Sequence, residues 1–184
     1  ISRAVVRPDT EAHSVIIVDI GAARTSFIIF AGGSLVFTKS ITLGGREFDA
    51  AIAKGLGIGS DEARTVKIEG GLNQNYRAGE VAALLEPILA RLATELVELL
   101  WFYRDHPRRT HVEFGAVESV YLCGGDANLI GIEKYLGTAM KRPVVLADPF
   151  VRLTRASGAI PAIPRNQSLK YTTAIGLALR GVGL

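Results

Sequence analysis

Residues 15–30 read VIIVDIGAARTSFIIF, and the reading of this stretch decides the fold. Val15, Ile16, Ile17 and Val18 are β-branched and too few for a helix, so they predict a buried strand ending at Asp19. Gly21 turns the chain without a side chain in the way, and Thr25, Phe27, Ile28, Ile29 and Phe30 restart an extended pattern. Ala31, Gly32, Gly33 and Ser34 make a second turn, after which Leu35, Phe37, Lys39 and Ile41 alternate as a third strand. The expected product is an antiparallel meander whose first turn carries a carboxylate, backbone N–H groups and a hydroxyl. Those groups suit a polyphosphate with magnesium: the N–H groups face anionic oxygens, Thr25 donates, and Asp19 holds metal-bound water. An ordinary tight turn between strands uses the same residues, so this stretch alone does not decide between the two.

Composition narrows the classes. At 184 residues the chain fits one domain or two small subdomains, large enough to bury a core without disulfides. Hydrophobic residues make up 48% and charged residues 21%, with a mean hydropathy of +0.27, which predicts a folded globular chain. No apolar run reaches membrane-span length, and the start lacks the charged-then-apolar layout of a signal peptide, so a soluble domain is expected. The single cysteine, Cys123, has no internal partner, which fits a reducing compartment such as the cytoplasm. The pI is 9.2, yet 21 Lys and Arg against 18 Asp and Glu leave only +3, spread along the chain. Nucleic acid is not implied. Ile1 is not an initiator and Met140 is the only methionine, so a longer parent protein is expected.

Around the meander, residues 1–6 read as the end of a helix closed by Pro8. Phe48, Ile52 and the alanines of residues 46–54 mark an amphipathic helix ending at Gly55 and Gly57. Ser60 is the expected cap of a short helix over 61–68 with Asp61 and Glu62 in its first turn. Residues 71–79, with Asn73, Gln74 and Asn75, read as an exposed loop. Val81, Leu84, Leu85, Ile88, Leu92, Leu96, Leu99 and Tyr103 have the spacing of a long buried helix, in which Pro87 marks a kink or the true start. The basic turn at Pro107, Arg108 and Arg109 reads as a solvated helix end, and Trp101, Phe102 and Tyr103 as core packing. Residues 119–123 predict a strand running into Gly124 and Gly125, with Asp126 to Asn128 capping a helix over 129–140. The paired glycines let a planar ligand approach the backbone; a plain strand-to-helix turn reads the same way. Cys123 reads as an inert buried thiol. Residues 143–146 predict a short strand, 148–164 an irregular stretch, and 168–179 a closing small-residue helix.

Three separated stretches, in order, resemble one superfamily. DIGAART (19–25) is similar to the second phosphate motif of the actin, hexokinase and chaperone ATPases, LCGGDANLIG (122–131) to their adenosine motif, and AIGLA (174–178) to their second connecting helix. More narrowly, VDIGA, FTKSITLGGREFDAAIA, PILARLATEL and TAIGLALRGV resemble PilM, the actin-like (FtsA-related) family of bacterial type IV pilus assembly, over almost the whole chain.

The resemblance implies an α/β fold: a ribonuclease H-like, actin-like ATPase lobe in which the meander is extended by further strands with flanking helices. Residues 1–70 and 118–184 would form the large subdomain of the second lobe and 71–117 a smaller one, the first lobe lying outside this chain. It implies ATP and Mg2+ as cofactors. Asp19 would position the nucleotide-bound magnesium, Gly21, Ala22 and Thr25 would wrap the β- and γ-phosphates, and Gly124, Gly125 and Asp126 would lie under adenine and ribose. Lys67 matches the lysine of the family's Ala-Glu-x-x-Lys helix, which approaches the ribose. Here that motif reads Ala63, Arg64, Thr65, Val66, Lys67, so a cation stands where a carboxylate would accept from ribose hydroxyls. Such a loss costs roughly 1.5 to 3 kcal/mol. The 71–79 loop is also shorter than the strand-bearing insertion expected of the family.

The implied protein is cytoplasmic and peripheral to the inner membrane through a PilN-like partner, whose groove would lie on the other lobe; self-association is a further expectation. No catalytic residue is assigned, and the fragment alone is not expected to hydrolyse ATP, because transition-state charge must be met from both sides of the cleft. Three alternatives stay open: a scaffold of the same fold that has lost nucleotide, favoured by Arg64 and the short loop; a metabolite kinase lobe; and a division-type actin homologue, for which the 180–184 ending supplies no amphipathic membrane helix.

Overall fold

The computed structural model describes residues 1–6, 14–105, 116–153 and 162–181. The Pro107–Arg109 turn, the polar stretch after Pro8, residues 154–161 of the irregular 148–164 stretch and the last three residues lie outside them.

A five-stranded mixed sheet has the order β3-β2-β1-β4-β5. β1 (Ser14–Ile20), β2 (Thr25–Ala31) and β3 (Ser34–Ile41) form the antiparallel meander, with Asp19 opposite Ser26 and Phe27 opposite Lys39. β4 (Val117–Cys123) then pairs parallel with β1, and β5 (Val144–Leu146) parallel with β4. β1 is thus central, which explains its continuous apolar run: Ile16, Ile17 and Val18 are fully buried, as suits a strand covered on both faces.

The helices are α1 (Ser2–Val5), α2 (Gly45–Leu56), α3 (Ser60–Gly70), α4 (Glu80–Asp105), α5 (Ile132–Met140), α6 (Arg165–Ser168) and α7 (Thr172–Gly181). α2 ends where Gly57 takes a left-handed φ of 66°, the glycine stop legible in the sequence. α4 lies against the meander: Phe37 and Phe102 have ring centroids 4.9 Å apart, Ser14 Oγ and Tyr103 Oη share a 3.0 Å hydrogen bond, and Lys39 Nζ is 2.5 Å from Glu95 Oε2. Val81, Leu85, Leu89, Leu92 and Leu96 of α4 belong to the same buried cluster as Ile16, Phe27, Ile29 and Phe48. Pro87 lies inside α4 on its exposed face, where the missing N–H and the ring meet solvent rather than the core.

Three boundaries differ from the sequence reading. Gly59, not Ser60, caps α3, and Ser60 is its first helical residue. Residues 71–79 hold a 3-10 turn, Tyr76–Gly79, whose Tyr76 ring packs against the face of Gly70. α5 begins at Ile132 rather than Leu129, because Gly125–Asn128 forms a 3-10 turn and Gly131 turns left-handed (φ 86°) as the cap. Asp126 therefore does not cap α5; its carboxylate goes elsewhere.

Candidate functional site

The parallel pairing of β1 with β4 sets Asp19 opposite Cys123, so the bends that follow both strands leave the sheet together. Gly124, at φ +87°, lies directly beside Asp19: a Cβ there would be 2.5 Å from Asp19 Oδ1 and would collide with the Ile20 carbonyl. Only glycine fits that conformation and that gap. The Gly124 N–H donates to the Leu169 carbonyl at 3.1 Å, tying the bend to the closing helical run, and Gly125 above it is exposed, with nothing nearer to a built Cβ than Lys170 Cβ at 3.8 Å.

The β1–β2 turn is seated on the start of α2. The Gly21 N–H donates to Arg24 O at 3.0 Å, while the N–H groups of Gly45 and Arg46 donate to Gly21 O (3.0 Å) and Ala22 O (2.8 Å). Gly44 packs so closely on this turn that any side chain would strike the Gly21 carbonyl. Ala22 is exposed at the rim. Thr25 is not: it is fully buried, and its hydroxyl donates to Leu43 O at 2.7 Å. Its single proton is committed to that carbonyl here, so a donation from Thr25 to a phosphate, as the sequence reading had it, would require this bond to break.

Lys67 is the buried cation of the site, 6% exposed. Its Nζ donates to Asp126 Oδ1 at 2.6 Å and to the Gly45 carbonyl at 3.4 Å, and stands 2.8 Å from Asp49 Oδ1. That second carboxylate oxygen is at ion-pair distance but out of line, and it accepts no hydrogen bond. The Asp126 carboxylate rests against Gly45 in the space a side chain there would fill. One ammonium thus joins α2, α3 and the turn after β4. The structure brings Lys67 and Asp126 together, as the sequence reading placed them at one end of the site, and adds Asp49, which that reading missed. The signal was present: Gly45, Asp49 and Ile52 share one face of α2, so an acid interrupts an inward stripe.

Burial raises the pKa of Asp19, and a hydrogen bond from Thr173 pulls it the other way. Burial, with the Asp19 charge next, also pushes the Cys123 thiol up, so it is a packed, unreactive group. No cluster of three or more metal-ligating side chains occurs among the described residues. A half-buried carboxylate whose charge is disfavoured by desolvation does fit Mg2+, which usually takes one or two protein carboxylates and fills its other positions with water and phosphate. Two of the larger cavities lie elsewhere, one of about 510 Å3 beside Trp101, Tyr103 and Arg104 and one of about 520 Å3 beside Leu72, Glu86 and Tyr135.

A meander continued by two parallel strands, with flanking helices, matches the lobes of actin-like ATPases. MreB5 of Spiroplasma citri bound to AMPPNP superimposes with a TM-score of 0.71 over 99% of this chain and 57% of that one, at 18% identity. The PilM-PilN type IV pilus biogenesis complex superimposes with a TM-score of 0.72 at 26% identity, over 95% of this chain and 47% of that one. The family model of the type IV pilus assembly protein PilM matches residues 2–182, and the chain belongs to that family. The cell division protein FtsA of Rhizobium meliloti (strain 1021) is 22% identical over 179 residues, 88% of this chain and 39% of that protein. The chain therefore spans about half the length of the solved relatives it matches, and less of FtsA.

Proposed function

We propose that this chain is the second lobe of a PilM-type cytoplasmic protein and holds Mg-ATP in a cleft closed by a first lobe. One observation carries the reading: the Asp19 carboxylate and the Gly124 bend stand side by side at the carboxyl ends of a parallel strand pair, where open α/β sheets bind their ligands. Asp19 would hold the magnesium through its water shell, and Gly21 and Ala22 would line the phosphates. Gly124, Gly125 and Asp126 would lie under the nucleoside, with Lys67 behind Asp126. Magnesium would supply charge neutralisation for the β- and γ-phosphates. MreB5, whose fold this chain shares, was solved bound to AMPPNP. Residues 1–70 and 118–184 would be the large subdomain, with 71–117 and its long helix alongside.

In the whole protein, nucleotide state would bias lobe closure and so the docking of a PilN-like partner on the other lobe, which would place the protein at the inner membrane. No helix among the described residues is long and apolar enough to cross a membrane. The test is calorimetric titration of the full-length protein and its Asp19→Ala variant with Mg-ATP. A loss of at least tenfold supports the reading; equal affinities overturn the role of Asp19.

A nucleotide-free scaffold is the second reading. Arg64 and the engagement of Lys67 by two aspartates favour it. Chromatography of the denatured full-length protein separates the two, since retained nucleotide contradicts the scaffold.

A further inference from the structure

The Lys67 ammonium has three protons, and the acceptors around it are unequally served. Asp126 Oδ1 and the Gly45 carbonyl accept hydrogen bonds, whereas Asp49 Oδ1 lies 2.8 Å away, shielded from water, out of line and without a hydrogen bond. A buried carboxylate oxygen left in that state is unusual, because it forgoes a bond to the cation beside it. A small swing of the Lys67 or Asp49 side chain would bring that oxygen into line with an ammonium N–H.

We propose that Asp49 is a positioning residue, a standby acceptor that takes over a Lys67 N–H hydrogen bond when a ligand's hydroxyl groups engage Asp126. This rests on the nucleotide reading, in which Asp126 faces the ribose. The ribose hydroxyls donate to Asp126, Lys67 turns to Asp49, and the cation stays neutralised throughout. The position of Asp49 adds a consequence. It sits on α2, whose first N–H groups are bonded to Gly21 O and Ala22 O of the β1–β2 turn. The exchange therefore links the nucleoside end of the site to the turn at its phosphate end through one helix.

The experiment compares Mg-ATP with Mg-2′,3′-dideoxy-ATP, which lacks the hydroxyls, by calorimetry on the full-length protein. Asp49→Asn is expected to weaken ATP about tenfold, the worth of one charge-assisted hydrogen bond, and dideoxy-ATP less than twofold. Asp49→Glu keeps the charge and displaces the acceptor by one methylene. It is expected to show a smaller loss with the same selectivity, and it carries the test should the Asn variant fail to fold in ligand-free melts. In an Asp126→Asn background the two ligands should bind alike and the Asp49 effect should vanish. Equal losses for both ligands, or no loss, overturn the proposal while leaving the nucleotide reading standing. Failure of the wild-type protein to bind either ligand overturns both.

Discussion

Replacing Lys67 with methionine isolates the contribution of the buried cation. The substitution keeps most of the side-chain volume and removes the charge between Asp49 and Asp126. The three side chains are 8%, 18% and 15% exposed, so the two carboxylates left behind have little water to turn to. Breaking a buried pair by deleting one partner costs about 3–5 kcal/mol, most of it the penalty of the uncompensated charge. At about 2–4 °C per kcal/mol for a domain of this size, the melting temperature should fall by roughly 6–20 °C. Urea denaturation followed by circular dichroism measures the loss directly, and an unchanged slope excludes an altered denatured state. The triple variant Lys67→Met, Asp49→Asn, Asp126→Asn removes all three charges and should recover more than half of it. A loss under about 1 kcal/mol, the range of an exposed ion pair, would refute the reasoning. So would a triple variant less stable than the single one.

Gly124→Ala forces a left-handed backbone on a residue with a Cβ and drives that Cβ into the Ile20 carbonyl, so about 2–4 kcal/mol should be lost in the same urea assay. Asp19→Asn tests burial through pH. A carboxyl whose folded pKa is raised favours folding below its unfolded value of about 4 and loses that contribution as pH rises through the folded value. The Asn variant cannot ionise, so it should gain on wild type between about pH 4 and pH 7 in thermal melts; a pH-independent difference contradicts burial as the cause. Arg64→Glu restores an acceptor near the ribose and should tighten Mg-ATP up to about tenfold without tightening the dideoxy nucleotide, as calorimetry on the full-length protein would show.

What the sequence made legible was local. β-branched runs and glycine turns announced the meander, and three-and-four spacing announced α4, because both depend on neighbours a few residues away. The pairing of β1 with β4 joins residues about a hundred positions apart, and no periodicity records it. Motif order stood in for it, and the register bears that order out by setting Asp19 against Cys123. The details not legible in the sequence share one cause. Thr25 looked available because hydroxyls in turns often are, yet its acceptor, the Leu43 carbonyl, comes from the segment after β3. Asp126 looked like a cap for α5, yet a buried ammonium from α3 is a better partner than the N–H of a helix start. Asp49 was passed over inside a helix otherwise read for its apolar face.

The charge count around Lys67 bears on the proposed nucleoside site, where the resemblance implies an acid at position 64. Lys67, Asp49 and Asp126 sum to one net negative charge in a poorly hydrated place. Arg64 lies three residues before Lys67 on α3, on the neighbouring surface, and is exposed. A glutamate there would add a negative charge on the neighbouring turn of α3, where arginine adds a positive one. On the proposed nucleotide reading, an acceptor missing at position 64 would not be the only one available, because the Asp126 carboxylate, held by Lys67, would lie at the same end of the site. Arginine at 64 and the proposed nucleoside site are compatible provided that Asp126 can release part of its bond to Lys67, which is the role proposed for Asp49.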